Sequence, residues 1–168
     1  MHGNIGATNA TGNFTISEWN SLTLASNVST FNSDNMTLSD NTVLNFGNVT
    51  SGYNRGSSET LTFASNITMG SNSTINVGNG TTLNGNIYGA GTLNVLGNFT
   101  STGSIGAAQV DGADFITSKL EQINISKGNT FTLNNNATAT RMNINGTVTV
   151  AGNITAAVTM GADGILNL

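Results

Sequence analysis

Eight carboxylates are the residues of this 168-residue chain with the clearest catalytic potential, and Asp111 and Asp114 are their only close pair. Acid–base hydrolysis of a polysaccharide needs two carboxyl groups a few ångströms apart. Gly112, between these two aspartates, is typical of a turn. The same loop offers carboxylate and carbonyl oxygens to calcium, yet the glycine-rich nonapeptide repeat of calcium-binding solenoids is absent. We therefore expect no catalytic pair, no metal site and no cofactor.

The chain lacks the combinations of residues that usually carry out nucleophilic catalysis. His2 is the only histidine, there is no cysteine, and no Gly-x-Ser-x-Gly motif occurs. The glycine-rich stretches 78–82 and 89–92 are not followed by the lysine and helix of a phosphate-binding loop. An enzyme is therefore the least favoured class of function.

The distribution of charge disfavours two kinds of partner. The formal net charge is −4, and the only cations are Arg55, Lys119, Lys127 and Arg141, which are scattered along the chain. Nucleic acid and anionic membranes attract clusters of basic residues, so neither is an expected partner. The chain contains no apolar run long enough to span a membrane, and its first 25 residues lack the pattern of a signal peptide.

A short motif recurs along the chain: an apolar residue, then Thr or Asn, then another apolar residue. The elements that this motif forms must position any functional side chain. Alternation with a period of two predicts a strand with one buried face, and strands this short must stack on copies of themselves. Motif starts lie six to eight positions apart, as at 67, 75 and 83 or at 87, 93 and 99. The motif occurs at 22–24, 36–38, 44–46, 61–63, 67–69, 75–77, 93–95, 123–125, 131–133, 142–144 and 148–150.

This spacing predicts an all-β fold, a single-stranded parallel β-helix. Three strand-and-turn units give a rung of roughly 18 to 24 residues, and about seven to nine rungs give a rod of roughly 35 to 45 Å. We expect one domain over 1–168. Hydrophobic residues make up 37% of the chain, enough to favour a folded core over disorder, and proline is absent. Glycine and asparagine suit the corners, where asparagines can stack into hydrogen-bonded ladders.

Two stretches interrupt the repeat and are predicted as irregular insertions, near 51–59 and 107–128. In the second, Phe115, Ile116 and Leu120 could form the apolar side of a short helix or an irregular strand. Loops that interrupt a solenoid project from one flank, which is often the binding face. The alternative interpretation is that these two stretches are tolerated insertions without a function. The candidate binding residues of the two loops are Tyr53, Arg55, Glu59, Asp111, Asp114, Lys119 and Glu121.

The sequon Asn-x-Ser/Thr occurs thirteen times. A strand with the order Asn-apolar-Thr contains this sequon simply because polar and apolar residues alternate along it. Most matches are therefore interpreted as strand pattern. The alternative is that rows of threonines carry or bind glycans. Trp19 and Tyr88 could stack on sugars, although Trp19, near the first rung, could equally plug the end of the core.

Three segments, 91–99, 146–154 and 160–168, resemble the passenger domains of bacterial autotransporters, in particular the surface antigens of the outer-membrane protein B and surface cell antigen type. The resemblance covers most of the chain. It implies a right-handed β-helix at the bacterial cell surface or outside the cell, with a role in adhesion or in a surface coat and with a host-surface protein or glycan as partner. It supplies no catalytic residues, and the long passenger and translocating barrel of that family are not in this sequence.

Two other functions remain open at this stage. Neither end of the sequence contains a charged or helical cap, and an open rung exposes unpaired backbone groups, so copies could stack end to end into an extracellular filament. Trimeric phage or virion tail fibres use a similar Gly-Asn-Thr strand pattern. The sequence alone specifies neither the receptor nor the oligomeric state.

Overall fold

The structure is a computed structural model that describes residues 4–6, 8–25, 27–46, 60–106, 109–111, 114–116 and 119–168. Over these residues every regular element is a β-strand. The strands are β1 (Asn13–Ile16), β2 (Ser21–Leu24), β3 (Thr30–Leu38), β4 (Val43–Phe46), β5 (Leu61–Met69), β6 (Thr74–Val77), β7 (Thr81–Leu83), β8 (Ile87–Gly89), β9 (Thr92–Val95), β10 (Phe99–Ser101), β11 (Gln109–Asp111), β12 (Asp114–Ile116), β13 (Leu120–Ile125), β14 (Thr130–Leu133), β15 (Ala137–Ile144), β16 (Thr147–Val150), β17 (Ile154–Met160) and β18 (Ile165–Asn167).

Sixteen of these strands form two sheets in which every pairing is parallel. The nine-stranded sheet has the order β1-β3-β5-β7-β10-β14-β16-β18, with β8 also paired to β5. The seven-stranded sheet has the order β17-β15-β13-β9-β6-β4-β2. Strands adjacent in a sheet are not adjacent in the chain, because the chain visits the other sheet between them. The predicted all-β class is confirmed, and the arrangement is compatible with a β-solenoid.

The distance along the chain between partners on neighbouring strands defines a rung. Bonded asparagines on successive rungs are 22 positions apart at Asn13 and Asn35, 18 at Asn76 and Asn94, and 17 at Asn136 and Asn153. These lengths agree with the predicted repeat. Two rungs are longer, with separations of 31 from Asn45 to Asn76 and 30 from Asn94 to Asn124. The longer rungs contain the two stretches in which the motif is interrupted.

Strict alternation of side chains builds the core between the sheets. In β5 every second residue from Leu61 to Met69 is buried and the residues between are half-buried. Parallel in-register pairing places like residues above one another, so Phe31 stacks on Phe63 with ring centroids 4.6 Å apart and planes 6° from parallel. Phe99 stacks on Phe131 at 5.2 Å. Such buried aromatic pairs add specific stabilisation to the burial of apolar area.

One corner carries a repeated left-handed backbone residue. Asn41 and Asn72 have φ values of 56° and 57° two residues before β4 and β6. Trp19 has φ of 61° two residues before β2, and 77% of its area is exposed. The suggestion that Trp19 plugs the core is therefore wrong, because its backbone turns the indole outward. Asparagine tolerates this conformation, whereas a bulky residue there is an outlier.

The second interruption is shorter than the predicted 107–128. Within it β11 and β12 pair antiparallel, with Val110 opposite Phe115. Leu120 is buried in the core rather than on a separate helix, because β13 pairs in register with β9 and β15. The residues of β13 therefore belong to the regular stack, and the insertion ends before it.

The two ends of the described stack differ in burial. At the first rung, Ile16 and Leu24 are buried. At the last rung, Val158 and Met160 are 40% and 45% exposed, whereas their register partners Met142 and Ile144 are buried. The last rung therefore presents apolar side chains to solvent where earlier rungs bury them.

Candidate binding surfaces

The candidate binding residues of the two predicted loops fall into three groups, according to where they lie relative to the described structure. Tyr53, Arg55 and Glu59 lie outside the described residues. Asp111 and Asp114, three positions apart in the sequence, are direct register partners in the antiparallel β11–β12 pair. The structure therefore brings the backbones of this predicted pair together, on a hairpin that belongs to neither parallel sheet.

Lys119 and Glu121 lie at the start of β13 and are exposed. The Glu121 carboxylate accepts a hydrogen bond from Arg141 Nη2 on the next strand at 2.9 Å, and both side chains are more than half exposed. Lys127 pairs with Asp163 in the same way at 2.9 Å. Exposed ion pairs contribute little stability. These partners were missed in the sequence because contacts 20 positions apart, for Glu121 and Arg141, and 36 positions apart, for Lys127 and Asp163, depend on the register.

The outer face of the seven-stranded sheet carries a ladder of asparagine side chains. Each side-chain amide donates from Nδ2 to the Oδ1 of the asparagine one strand before it. The bonds are Asn76 to Asn45 at 2.9 Å, Asn94 to Asn76 at 2.9 Å, Asn124 to Asn94 at 2.8 Å and Asn143 to Asn124 at 2.8 Å. Asn45 donates to Thr23 Oγ1 at 3.0 Å and ends the ladder. We call this set of six residues the asparagine ladder.

Sheet geometry explains why asparagine suits this position. Neighbouring strands are about 4.8 Å apart, and a planar carboxamide presents a donor and an acceptor on opposite sides. In-register amides therefore bond to both neighbours at once, and the ladder adds side-chain hydrogen bonds parallel to those of the backbone. The predicted ladder exists, but it runs along strand centres and not along a corner.

The outer face of the nine-stranded sheet carries threonine instead. Six threonines on six successive strands are direct register partners: Thr30, Thr62, Thr82, Thr100, Thr132 and Thr149. All are half-buried except Thr149, which is exposed. Within the described part of the chain, the hydroxyls of Thr62, Thr82 and Thr100 make no hydrogen bond. We call these six residues the threonine row.

The two outer faces differ in the middle residue of the sequence motif. Of the eleven motifs given above, the five with asparagine in the middle all lie on the seven-stranded sheet, as at Asn45, Asn76 and Asn94. Of the six with threonine in the middle, five lie on the nine-stranded sheet and Thr23 ends the asparagine ladder. The last strands reverse this division, with Thr159 on β17 and Asn167 on β18. This signal was present in the sequence. It was missed because Thr and Asn were grouped as one polar position.

Sequon asparagines have a structural role between successive rungs. Asn66 Oδ1 accepts from the backbone N–H of Asn86 at 3.0 Å, and Asn98 Oδ1 accepts from that of Thr130 at 2.9 Å. Asn136 does the same for Asn153 at 3.0 Å. An asparagine before an inward apolar residue and an outward threonine thus satisfies a backbone donor of the next rung. These contacts support the strand-pattern interpretation of the sequons.

A shallow trough of about 220 Å³ lies on the threonine face. Thr82, Thr100 and Thr132 of the threonine row line it on one side, and Thr60 and Thr130 line it as well. Gly80 and Asn98 occupy the positions between Thr60 and Thr130. Among the described residues, the trough is therefore lined by hydroxyls and a carboxamide and by no charged group.

Other features of the described residues are limited. A second groove, of about 420 Å³, lies at the last rung and is lined by Ile154, Val158 and Leu166 among others. Over the described ranges there is no group of three or more His, Cys, Asp or Glu side chains close enough to hold a metal ion. No helix long and apolar enough to cross a membrane occurs in that same part of the chain.

Comparison with known proteins gives no relative: no family model, no curated protein and no solved structure matches the chain.

Proposed function

We propose that this chain is a non-catalytic structural or adhesive module, displayed outside a bacterial cell, whose two sheets form a single-stranded right-handed parallel β-helix like that of autotransporter passenger domains. The observation that supports it best is the pair of rows of uncharged polar side chains, each of which follows six strands of one sheet. The asparagine ladder spans six strands of one sheet, and the threonine row spans six strands of the other. A regular surface of this kind suits many equivalent weak contacts.

Adhesion by such a surface depends on avidity. One exposed hydroxyl or amide exchanges a hydrogen bond with water for one with a ligand, so each contact contributes little net free energy. Repetition along the rod, and repetition of rods on one cell, raises the effective concentration of later contacts. The partner in this proposal is a host-surface protein or glycan.

Bead adhesion tests this proposal. Beads coated with the purified chain at increasing density are applied under flow to cultured epithelial cells, with beads coated with a globular protein of equal charge as the control. We expect retention that rises steeply with coating density, whereas the same amount of soluble chain competes poorly. Retention no greater than that of the control beads at any density would exclude the adhesive function.

A second candidate function, an end-to-end filament subunit, is supported by the apolar last rung. Val158 and Met160 are 40% and 45% exposed, and β17 and β18 each have one strand partner among the described residues. A second copy whose first rung stacks on this edge would bury these side chains and pair the open backbone groups.

Sedimentation velocity separates this candidate from the others. For a filament subunit we expect species that grow with concentration in the natural chain and in Thr159→Lys, and a monomer in Val158→Lys. Thr159 is the neighbouring residue of β17, so its variant controls for added charge. An elongated monomer at all concentrations would contradict the filament, and a discrete trimer would favour a virion fibre.

A further inference from the structure

We propose that the trough on the threonine face is a binding site for an extended, uncharged polysaccharide chain. The inference rests on the proposed adhesive function and deepens it by naming the site and the class of ligand. It depends on three observations: the hydroxyls that line the trough, the charge of its lining and the spacing of the rungs.

The hydroxyls of the trough are available. Thr82 and Thr100 make no side-chain hydrogen bond within the described residues, and each hydroxyl offers one donor and two acceptor sites. Asn98 uses its Oδ1 to accept from the Thr130 backbone, and among the described residues its Nδ2 has no acceptor, so it can donate outward. The asparagine ladder differs, since each of its amides is already bonded to the next.

The lining of the trough is uncharged. Its lining residues include threonines, Asn98 and Phe99, and no cation or carboxylate is among the described residues that line it. A uronic-acid or sulfated polysaccharide would find no counter-charge there. Sugar hydroxyls and ring C–H groups, by contrast, match the hydroxyl and methyl groups that a threonine presents together.

The dimensions fit one segment of a chain. A volume of 220 Å³ corresponds to about seven liquid-like waters. Threonines on neighbouring strands repeat at about 4.8 Å, close to the length of one sugar in an extended β-linked chain. Successive sugars can therefore meet successive members of the threonine row.

A second copy of this chain is a poorer occupant of the same face. The threonine row is about 25 Å long and, with its flanking residues, about 10 Å wide. That area lies well below the roughly 800 Å² per partner of a stable protein interface. A narrow linear surface is better matched to a linear ligand.

Two pairs of isosteric variants test the site. Thr82→Val and Thr100→Val remove trough hydroxyls but keep the branched shape. Thr37→Val and Thr68→Val make the same change on β3 and β5, on register partners that do not line the trough. The probes are cellohexaose, which is neutral and β-linked, and an oligogalacturonate of equal length, which is charged. Binding is measured from threonine methyl shifts in NMR spectra.

We expect cellohexaose to bind weakly, with a dissociation constant on the order of 1 mM, and to shift the methyls of Thr82, Thr100 and Thr132. Thr82→Val and Thr100→Val should weaken it about tenfold, as expected for loss of one hydrogen bond, whereas Thr37→Val and Thr68→Val leave it unchanged. The oligogalacturonate should bind less tightly than cellohexaose.

Three results would overturn the site: no methyl shift with cellohexaose, equal losses in both pairs of variants, or tighter binding of the charged probe. If coated beads still adhere to cells while cellohexaose gives no shift, only the site fails. If the beads do not adhere, the proposed function fails, whatever the oligosaccharide does.

Discussion

The two outer faces of this protein differ in what their polar side chains do. On the seven-stranded sheet, Asn76, Asn94 and Asn124 donate to and accept from one another. On the nine-stranded sheet, Thr82 and Thr100 are aligned in the same parallel register, but their hydroxyls bond to no described residue. The backbone geometry is common to both faces, so the difference arises from the side chains. One face binds itself and stabilises the stack, and the other is left available to water or a ligand.

The largest expected effect comes from the core that supports the threonine row. Phe99 precedes Thr100, is 2% exposed and stacks on Phe131. Phe99→Ala should lower the free energy of unfolding by about 3 to 5 kcal/mol, because it removes buried apolar area and leaves a cavity. Urea denaturation measures the loss. Phe99→Leu keeps most of the volume and should cost less than about 1.5 kcal/mol; equal losses in the two variants would show that the cavity is not the cause.

The next largest effect is expected in the asparagine ladder. Asn94→Ala removes the bond to Asn76 Oδ1 and the bond from Asn124 Nδ2. Two hydrogen bonds at about 1 kcal/mol each predict a loss of about 2 kcal/mol in the free energy of unfolding. The same urea titration measures it. A loss below about 0.5 kcal/mol would mean that water replaces the ladder without cost and that the two faces are equivalent.

A smaller effect, of opposite sign, is expected at the corner. Trp19 occupies a left-handed position that Asn41 and Asn72 occupy in later rungs. Trp19→Asn should raise the free energy of unfolding by about 1 kcal/mol, because a bulky side chain is disfavoured at positive φ. Asn41→Trp is the matched reverse change and should lower it by a similar amount. Destabilisation by Trp19→Asn would show that the indole makes a contact that outweighs this strain.

The smallest effect is expected on the threonine row. Thr100→Val should change the free energy of unfolding by less than about 0.5 kcal/mol, because the hydroxyl bonds to no described residue and valine keeps the branched shape favoured in strands. Thermal and urea unfolding both measure it. A loss as large as that of Asn94→Ala would remove the contrast between the two faces.

The sequence predicted the parts of the fold that follow from local alternation. Apolar residues on each side of Thr62 or Asn76 indicated strands, and the motif spacing indicated a rung length that the register of the regular rungs matches, but not the two longer rungs. Parts that depend on register were not predicted. Glu121 meets Arg141 only because β13 lies beside β15, and Leu120 joins the core for the same reason.

The candidate site was predicted only in outline. Rows of Thr and Asn on the surface were expected, but their division between two sheets was not, because the motif was defined by its apolar flanks. The trough depends on Gly80 and Asn98 standing between threonines from other rungs. Such a neighbourhood cannot be read from sequence until the register is known.

Hydrogen exchange of the asparagine side-chain amides, measured by NMR, tests the contrast between the faces most directly. If the ladder is formed, the Nδ2 protons of Asn76, Asn94 and Asn124 exchange more slowly than those of Asn98, whose Nδ2 has no acceptor among the described residues. Equal and fast exchange at all four residues would contradict the account, because the face assigned to stabilising the stack would then be as open to solvent as the face assigned to binding.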